Sequence, residues 1–266
     1  MTSTVAFDLD ALVARIRPVS DKARAAARAA LDAKTKPRGS LGALEELAVR
    51  VAGIRGDAAP GRLAPAIVLA AADHGYARQG VSAYPPEVTG QMLANFLAGG
   101  AAVNVLAREA GARLVVVDAG VLEPVADPAV RTLRLGAGTE DASRGPAMTR
   151  EQALHGLAGG AALAEELAAE GAGVLALGDM GIGNTTAAAA LAAALLPAEP
   201  WAVCGRGTGV DDVGLERKVA VVGRALAVNR AALGDPVGAL AAVGGFELAV
   251  LAGVCLGGAA AGCVVL

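Results

Sequence analysis

The stretch GAGVLALGDMGIGNTTAAAALAAALLP, Gly171 to Pro197, decides the fold. Val174 to Leu177 is a short apolar run that stops at a glycine-dense turn, and an alanine-rich segment of high helix propensity begins directly after it. The order is strand, turn, helix. Gly178, Gly181 and Gly183 are free to take positive φ and turn backbone N–H groups toward one point. Met180 and Ile182 lie between them, and Asn184, Thr185 and Thr186 offer donors and a cap at a helix start, where the macrodipole is positive. Such a turn suits an anion, a phosphate above all. Gly178-x-x-x-x-Gly183-Asn184-Thr185 has Walker A spacing, but asparagine stands where that motif needs its phosphate-gripping lysine, which disfavours nucleotide hydrolysis. Gly181-x-Gly183 is half a dinucleotide fingerprint, with Thr186 in the third glycine's place. A strand-to-helix turn without a ligand remains the alternative.

Outward from this stretch the same grammar recurs. Ala66 to Ala72 reads as a buried strand ending in Asp73, His74 and Gly75; Leu114 to Val117 as a second, ending in Asp118; and Ala202 to Cys204 as a short fourth, before the glycine turn Gly205 to Asp212. Four apolar runs, each followed by a turn and a helix, predict an α/β fold: a parallel sheet with helices on both faces. Ligands gather beyond the carboxyl ends of such strands, so Asp73 and His74 stand where a site belongs. A capping aspartate and a packed histidine explain them equally well. Tyr84, Pro85 and Pro86 lead into a helix from about Glu87 that carries Gln91, Met92 and Phe96. In a chain with 2% aromatic residues, Tyr84, Met92 and Phe96 either line a pocket for a flat ligand or belong to the core.

Pro124 to Pro146 reads as an irregular surface excursion, and Thr149 to Glu170 as an amphipathic helix with His155 on its surface or in its packing. The helix after Asp212 carries Lys218. Near the N-terminus, Leu9, Leu12, Val13 and Ile16 have helical spacing, and Ser20 to Ala33 is a second helical run. Lys36 to Gly39 form an exposed turn. Ser40 then starts a helix whose buried stripe is Leu44, Leu47, Val51 and Ile54. Residues 1–58 thus make a small helical subdomain and 59–266 the α/β domain.

A formal charge of −3 with scattered Arg, Asp and Glu supplies no basic stripe for nucleic acid, which favours small-molecule chemistry. Cys204, Cys255 and Cys263 lack metal spacing, and with two distant histidines they imply free thiols and no zinc site. Thr2, Ser3 and Thr4, followed by Asp8 and Asp10, lack the character of a signal peptide, so a cytoplasmic location is expected. The uncharged run Leu248 to Leu266 is long enough for a membrane span, but its alanine and glycine content and lack of basic flanks favour a buried helix followed by a strand.

Five motifs in order carry a resemblance: KPRGSLGALEELA from Lys36, AADHGYARQGVSAYPPEVTGQMLANFLAGGAAVNVLA from Ala71, GDMGIGNTTAAAAL from Gly178, GRGTGVDDVGLERKVAVV from Gly205 and VGGFELAVLAG from Val243. Together they resemble the nicotinate-nucleotide–dimethylbenzimidazole phosphoribosyltransferases of cobalamin lower-ligand assembly, from about Lys36 onward. The resemblance implies a Rossmann-like sheet with a smaller helical domain, a homodimer, and no metal or separate cofactor. It implies transfer of 5-phosphoribose from nicotinate mononucleotide to 5,6-dimethylbenzimidazole. Asp179, Met180, Gly181, Ile182, Gly183, Asn184, Thr185, Thr186 and Lys218 would bind phosphate and ribose; Tyr84, Pro85, Gln91 and Met92 would line the base pocket; and Asp73, His74 and Arg206 would edge the site. Two departures stand out within the motifs: Asp179 replaces a usual glutamate, and Arg38 a usual proline. The family pattern also continues past a strand like CVVL into a segment with the glutamate proposed as general base, whereas this sequence ends at Leu266. That leaves a non-catalytic binding protein as the alternative to the enzyme, and exposed apolar surface with weakened folding as a further expectation.

Overall fold

The computed structural model describes residues 7–196 and 198–266. Residues 1–6, on which part of the reading of the N-terminus rests, and Pro197 lie outside the described residues. Five strands form one parallel sheet: β1 Ala64–Ala72, β2 Arg113–Gly120, β3 Val130–Thr132, β4 Ala172–Met180 and β5 Val264–Val265. Their order is β3-β2-β1-β4-β5. The chain steps outward from β1 through β2 to β3, then returns to the other side of β1 for β4 and β5. The reversal lies between β1 and β4, and the crevice beyond their carboxyl ends is where open α/β sheets bind ligands.

The apolar runs of β1 and β2 are continuous because both faces of the sheet are covered. On one face Ala66, Val68, Ala70, Val115 and Val117 meet α6 (Arg150–Ala169) and α11 (Phe246–Ala260) through Leu157, Ala164, Val250 and Val254. On the other, Leu69, Ala71 and Val116 meet α4 (Val88–Leu97) through Leu93 and Phe96, with Ala101 at the start of α5 (Ala102–Ala110). A second apolar group joins α7 (Asn184–Leu195), α9 (Asp212–Val228) and α10 (Pro236–Val243) around Ala187, Val221, Val222 and Val243. Helices α1 (Leu9–Ala14), α2 (Asp21–Asp32) and α3 (Ala43–Arg55) precede the sheet. Ala27, Val49 and Ala52 give α2 and α3 a small cluster of their own.

Three local readings of the sequence are corrected. Ala202 to Cys204 is not a strand, because Pro200, favoured in a helical first turn, opens the one-turn helix α8 (Pro200–Val203). The excursion Pro124 to Pro146 contains β3, too short to announce itself. Gly42 rather than Ser40 precedes α3, and its large aliphatic residues face outward: Leu44 and Leu47 are 64% and 52% exposed, while Glu45, Val49, Ala52 and Gly53 are buried. Small residues are buried there because α2 comes close; a Cβ on Gly53 would lie 2.6 Å from Arg24 Cγ. Glu45 is half of an ion pair with Lys36 at 2.8 Å, so Lys36 is not freely exposed.

The C-terminal apolar run is helix α11 followed by β5, as expected. One stretch of the described residues, Val88–Ala110, is long and apolar enough to cross a membrane. It consists of α4 and α5, separated at Gly99 and Gly100 and anchored on the sheet by Leu93 and Phe96.

Helices α6 and α11 cross at glycines. A Cβ on Gly160 would sit 1.9 Å from the carbonyl oxygen of Val250, whereas one on Gly223 in α9 would meet nothing within 4 Å. Gly160→Ala is therefore expected to destabilise by about 3 kcal/mol, the upper end for overpacking. Gly223→Ala is expected to stabilise by about 0.5–1 kcal/mol. Urea midpoints at unchanged slope measure both; equal midpoints for the two variants would contradict the helix contact described.

Candidate active site

At the reversal, β4 runs out at Met180 and the turn Gly181 to Gly183 leads into α7. Only Gly183 of the three glycines takes positive φ, at 99°. Gly181 is needed for a different reason: a Cβ there would lie 2.1 Å from the Ala72 carbonyl oxygen and 3.1 Å from His74 Nε2. The amides expected to converge on an anion are mostly engaged inside the protein. Ile182 N–H donates to Thr89 Oγ1 at 3.1 Å, Asn184 N–H to the Gly181 carbonyl at 2.9 Å, Thr185 N–H to Asn184 Oδ1 at 2.8 Å, and Thr186 N–H to the Gly183 carbonyl at 2.9 Å. The first turn of α7 closes on itself, as short 3₁₀-type bonds do at helix ends. Thr186 is fully buried, Ile182 is core, and Met180 packs beside Leu93 and Phe96. Asp179, Asn184 and Thr185 are left to offer polar side chains to the crevice rim, with Asn184 Nδ2 donating to Asp179 Oδ2 at 2.5 Å.

The strongest charge in this region is Lys218, which α9 places 1% exposed. Its Nζ donates to Thr185 Oγ1 at 2.7 Å and to the Gly205 carbonyl at 3.1 Å. It forms no ion pair among the described residues. Burial pushes its pKa down, only partly opposed by the Cys204 thiol. The loop after Cys204 covers the pair: Gly207, at φ 53°, comes so close that a Cβ would lie 2.7 Å from Thr185 Oγ1. A pocket of about 400 Å³ opens here between Thr185, Ala188, Ala192, Val203, Gly207 and Lys218. An ammonium taken out of water without a carboxylate partner is costly, and an anionic group in the pocket would offset that cost.

The segment before α4 meets the same loop. Thr208 Oγ1 accepts from Ala83 N–H at 2.9 Å and lies 3.1 Å from Ser82 Oγ. Through Thr89 and Thr208, then, the stretch holding Tyr84, Pro85 and Gln91 is tied to both the glycine turn and the Gly205 loop. Tyr84, Pro85 and Gln91 are exposed, Met92 is half-buried against the α4 core, and Phe96 is core. Arg206 is engaged within its own loop, by the Val210 carbonyl and Asp212.

Asp73 is buried and its Oδ2 accepts from Leu122 N–H at 2.8 Å, the capping role that the sequence left open. His74 is buried too, with Nε2 3.1 Å from Oε1 of Glu247, at the start of α11. Burial alone would lower the His74 pKa; Glu247, then Asp73 and Asp179, outweigh it and raise it. Sequence reasoning gave no role to Thr89, Gly205, Gly207, Thr208 or Glu247. All five lie in motifs quoted above, but nothing local marks which of their groups come together.

A parallel sheet with its crevice at the strand reversal, a glycine turn into a helix and a buried lysine facing a pocket define an α/β enzyme of the mononucleotide-binding kind. The profile of the family described as phosphoribosyltransferase matches residues 16–266, and the chain belongs to that family. It is 52% identical over 253 residues to the nicotinate-nucleotide–dimethylbenzimidazole phosphoribosyltransferase of Roseiflexus sp. (strain RS-1), covering 95% of this chain and 72% of the relative. To the protein of the same name from Pseudomonas putida it is 49% identical, over 94% of this chain and 72% of that one. The crystal structure of CobT from Thermus thermophilus superposes with a TM-score of 0.87 at 49% identity, covering 92% of this chain and 73% of that chain.

Lys218 provides a test of the site's energetics. Unfolded, it titrates near 10.5; folded, it gives up its proton at lower pH. Between those values the unfolded state holds more protons, so stability rises with pH across that window. Lys218→Met is expected to raise the urea midpoint at neutral pH and flatten its rise toward alkaline pH. A lower midpoint with the slope retained would contradict the assignment of a strained, unpaired ammonium.

Proposed function

We propose that the chain transfers 5-phosphoribose from nicotinate mononucleotide to 5,6-dimethylbenzimidazole, giving α-ribazole 5′-phosphate and nicotinate for the cobalamin nucleotide loop. The observation that carries this reading is the buried Lys218 ammonium beside Thr185, in a chain whose relatives bear the name of that reaction. The C–N bond between ribose and the nicotinate ring breaks with its electron pair returning to the ring nitrogen, which neutralises the pyridinium. Positive charge grows at the anomeric carbon, the azole nitrogen attacks there, and the azole N–H proton leaves to a base.

The chain's residues have separable parts in this. Lys218 and Thr185 hold the phosphate, and the α7 N-terminus adds its dipole once Asn184 Oδ1 yields the Thr185 N–H. Asp179, an exposed carboxylate at the end of β4, faces the ribose or the incoming base. Tyr84, Pro85, Gln91 and Met92 make the wall against which the flat azole stacks. The described part of residues 1–58 acts as a helical subdomain beside the α/β domain. The working form is a homodimer in a reducing cytoplasm; exposed Leu106 and Trp201 and three free cysteines support that setting.

Incubation with nicotinate mononucleotide and 5,6-dimethylbenzimidazole, followed by chromatography, is expected to yield α-ribazole 5′-phosphate and nicotinate in equal amounts. Lys218→Met is expected to lower kcat/KM for the mononucleotide about 100-fold, from about 3 kcal/mol lost with a charge-assisted contact. Tight mononucleotide binding with no product would favour the non-catalytic binding protein instead.

A further inference from the structure

The ring of His74 is wedged under the site by three glycines. Side chains on them would collide with it or crowd it: a Cβ on Gly245 would lie 2.5 Å from His74 Cε1, one on Gly181 3.1 Å from Nε2, and one on Gly183 3.1 Å from His74 Cβ. The Gly245 position is doubly closed, since both Glu247 oxygens would lie 2.6 Å from that Cβ. Glu247 is fully buried in the first turn of α11, where the helix dipole favours a carboxylate. Neither nitrogen of His74 and neither oxygen of Glu247 has an aligned hydrogen bond among the described residues, and the polar contact between the two is their mutual approach at 3.1 Å.

We propose that His74 is a positioning residue of the phosphoribosyl site: its ring, packed against Glu247, sets the height of the Gly181 to Gly183 turn and with it the places of Asp179, Asn184 and Thr185. The inference rests on the functional reading above and assigns a group that never touches substrate. Most of the turn's hydrogen bonds are internal to it and to the first turn of α7. Ile182 N–H to Thr89 anchors one side; on the other, His74 fills the space beneath Gly181 and Gly183. An apolar filler would pack as well, and a buried ion pair is weak evidence for stability, but a charge held between the end of β1 and the start of α11 fixes one geometry. The charged groups facing His74 are Glu247 from α11, Asp73 from the end of β1 and Asp179 from the end of β4. All three are acidic. Despite burial they keep the ring protonated above its ordinary 6.5. Its contribution is therefore complete below that value and lost as pH rises through the folded pKa.

The test uses ¹⁵N-labelled protein, in which His74 and His155 are the only histidines. The Gly181 and Gly183 amide signals are expected to follow the His74 ring nitrogens through their titration, and Glu247→Gln to move that titration to lower pH. Both readouts are made without ligand. In assays, His74→Gln is expected to lower kcat about 100-fold, as for a reacting group misplaced by about 1 Å, and to remove the step in rate expected of the parent at the pH of the His74 ring titration, leaving the fall due to Lys218 at higher pH. Glycine signals that stay flat through the His74 titration, a Glu247→Gln titration at the parent's pH, or a folded His74→Gln with parental kinetics would each overturn the proposal. A parent that makes no product would sink the functional reading instead, and the glycine titration would still decide the coupling.

Discussion

Gly181 has no side chain, and the end of β4 uses that to lie against the Ala72 carbonyl and the ring of His74. The close approach brings the turn onto the carboxyl end of β1 at the one place where the strand order reverses. From there α7 can start with Asn184 and Thr185 at the rim, within reach of Lys218 on α9. Any side chain at residue 181 would lift the turn off β1. The link to Thr89, and the phosphate and ribose contacts proposed above, all inherit their geometry from this contact.

The site is built against its own stability. Lys218 is buried beside a hydroxyl and a carbonyl rather than a carboxylate, and the amides of the α7 first turn are closed internally. On the proposed reading, a mononucleotide phosphate would reverse both conditions. It would supply negative charge to Lys218 and compete with Asn184 for the Thr185 N–H. Binding energy of this kind is strongest for the correct anion, because water and neutral ligands do not neutralise the ammonium. The same arrangement leaves Asp179 exposed next to Asn184, where the proposed reading has it meet the ribose or the incoming base.

Much of the fold was legible because its strands are uniform apolar runs. Ala66 to Ala72 and Val174 to Leu177 fall inside β1 and β4, and the uncharged C-terminal run resolves into α11 and β5. Where the reading of the helix faces failed, at α3, the cause was side-chain size. In a chain so rich in alanine and glycine, close helix contacts are made by the smallest residues, so the larger Leu44 and Leu47 lie outside and Val49, Ala52 and Gly53 inside. Helical period alone identified a stripe but not the side it faces. At the site, the glycine turn and Lys218 could be picked out, the latter with help from family resemblance. That the turn's amides would be internally satisfied could not, since it depends on Thr89 and on the tightness of a 3₁₀-type first turn. The His74 and Glu247 contact is invisible in the sequence because only the approach of α11 to the end of β1 creates it.

The most direct measurement is a crystal of this protein soaked with nicotinate mononucleotide and read as a difference map. The account predicts the 5′-phosphate at the N-terminus of α7, within about 3 Å of Lys218 Nζ, with the Asn184 side chain turned away from the Thr185 N–H. A mononucleotide whose phosphate lies elsewhere, with Lys218 still bonded only to Thr185 and Gly205, would contradict it.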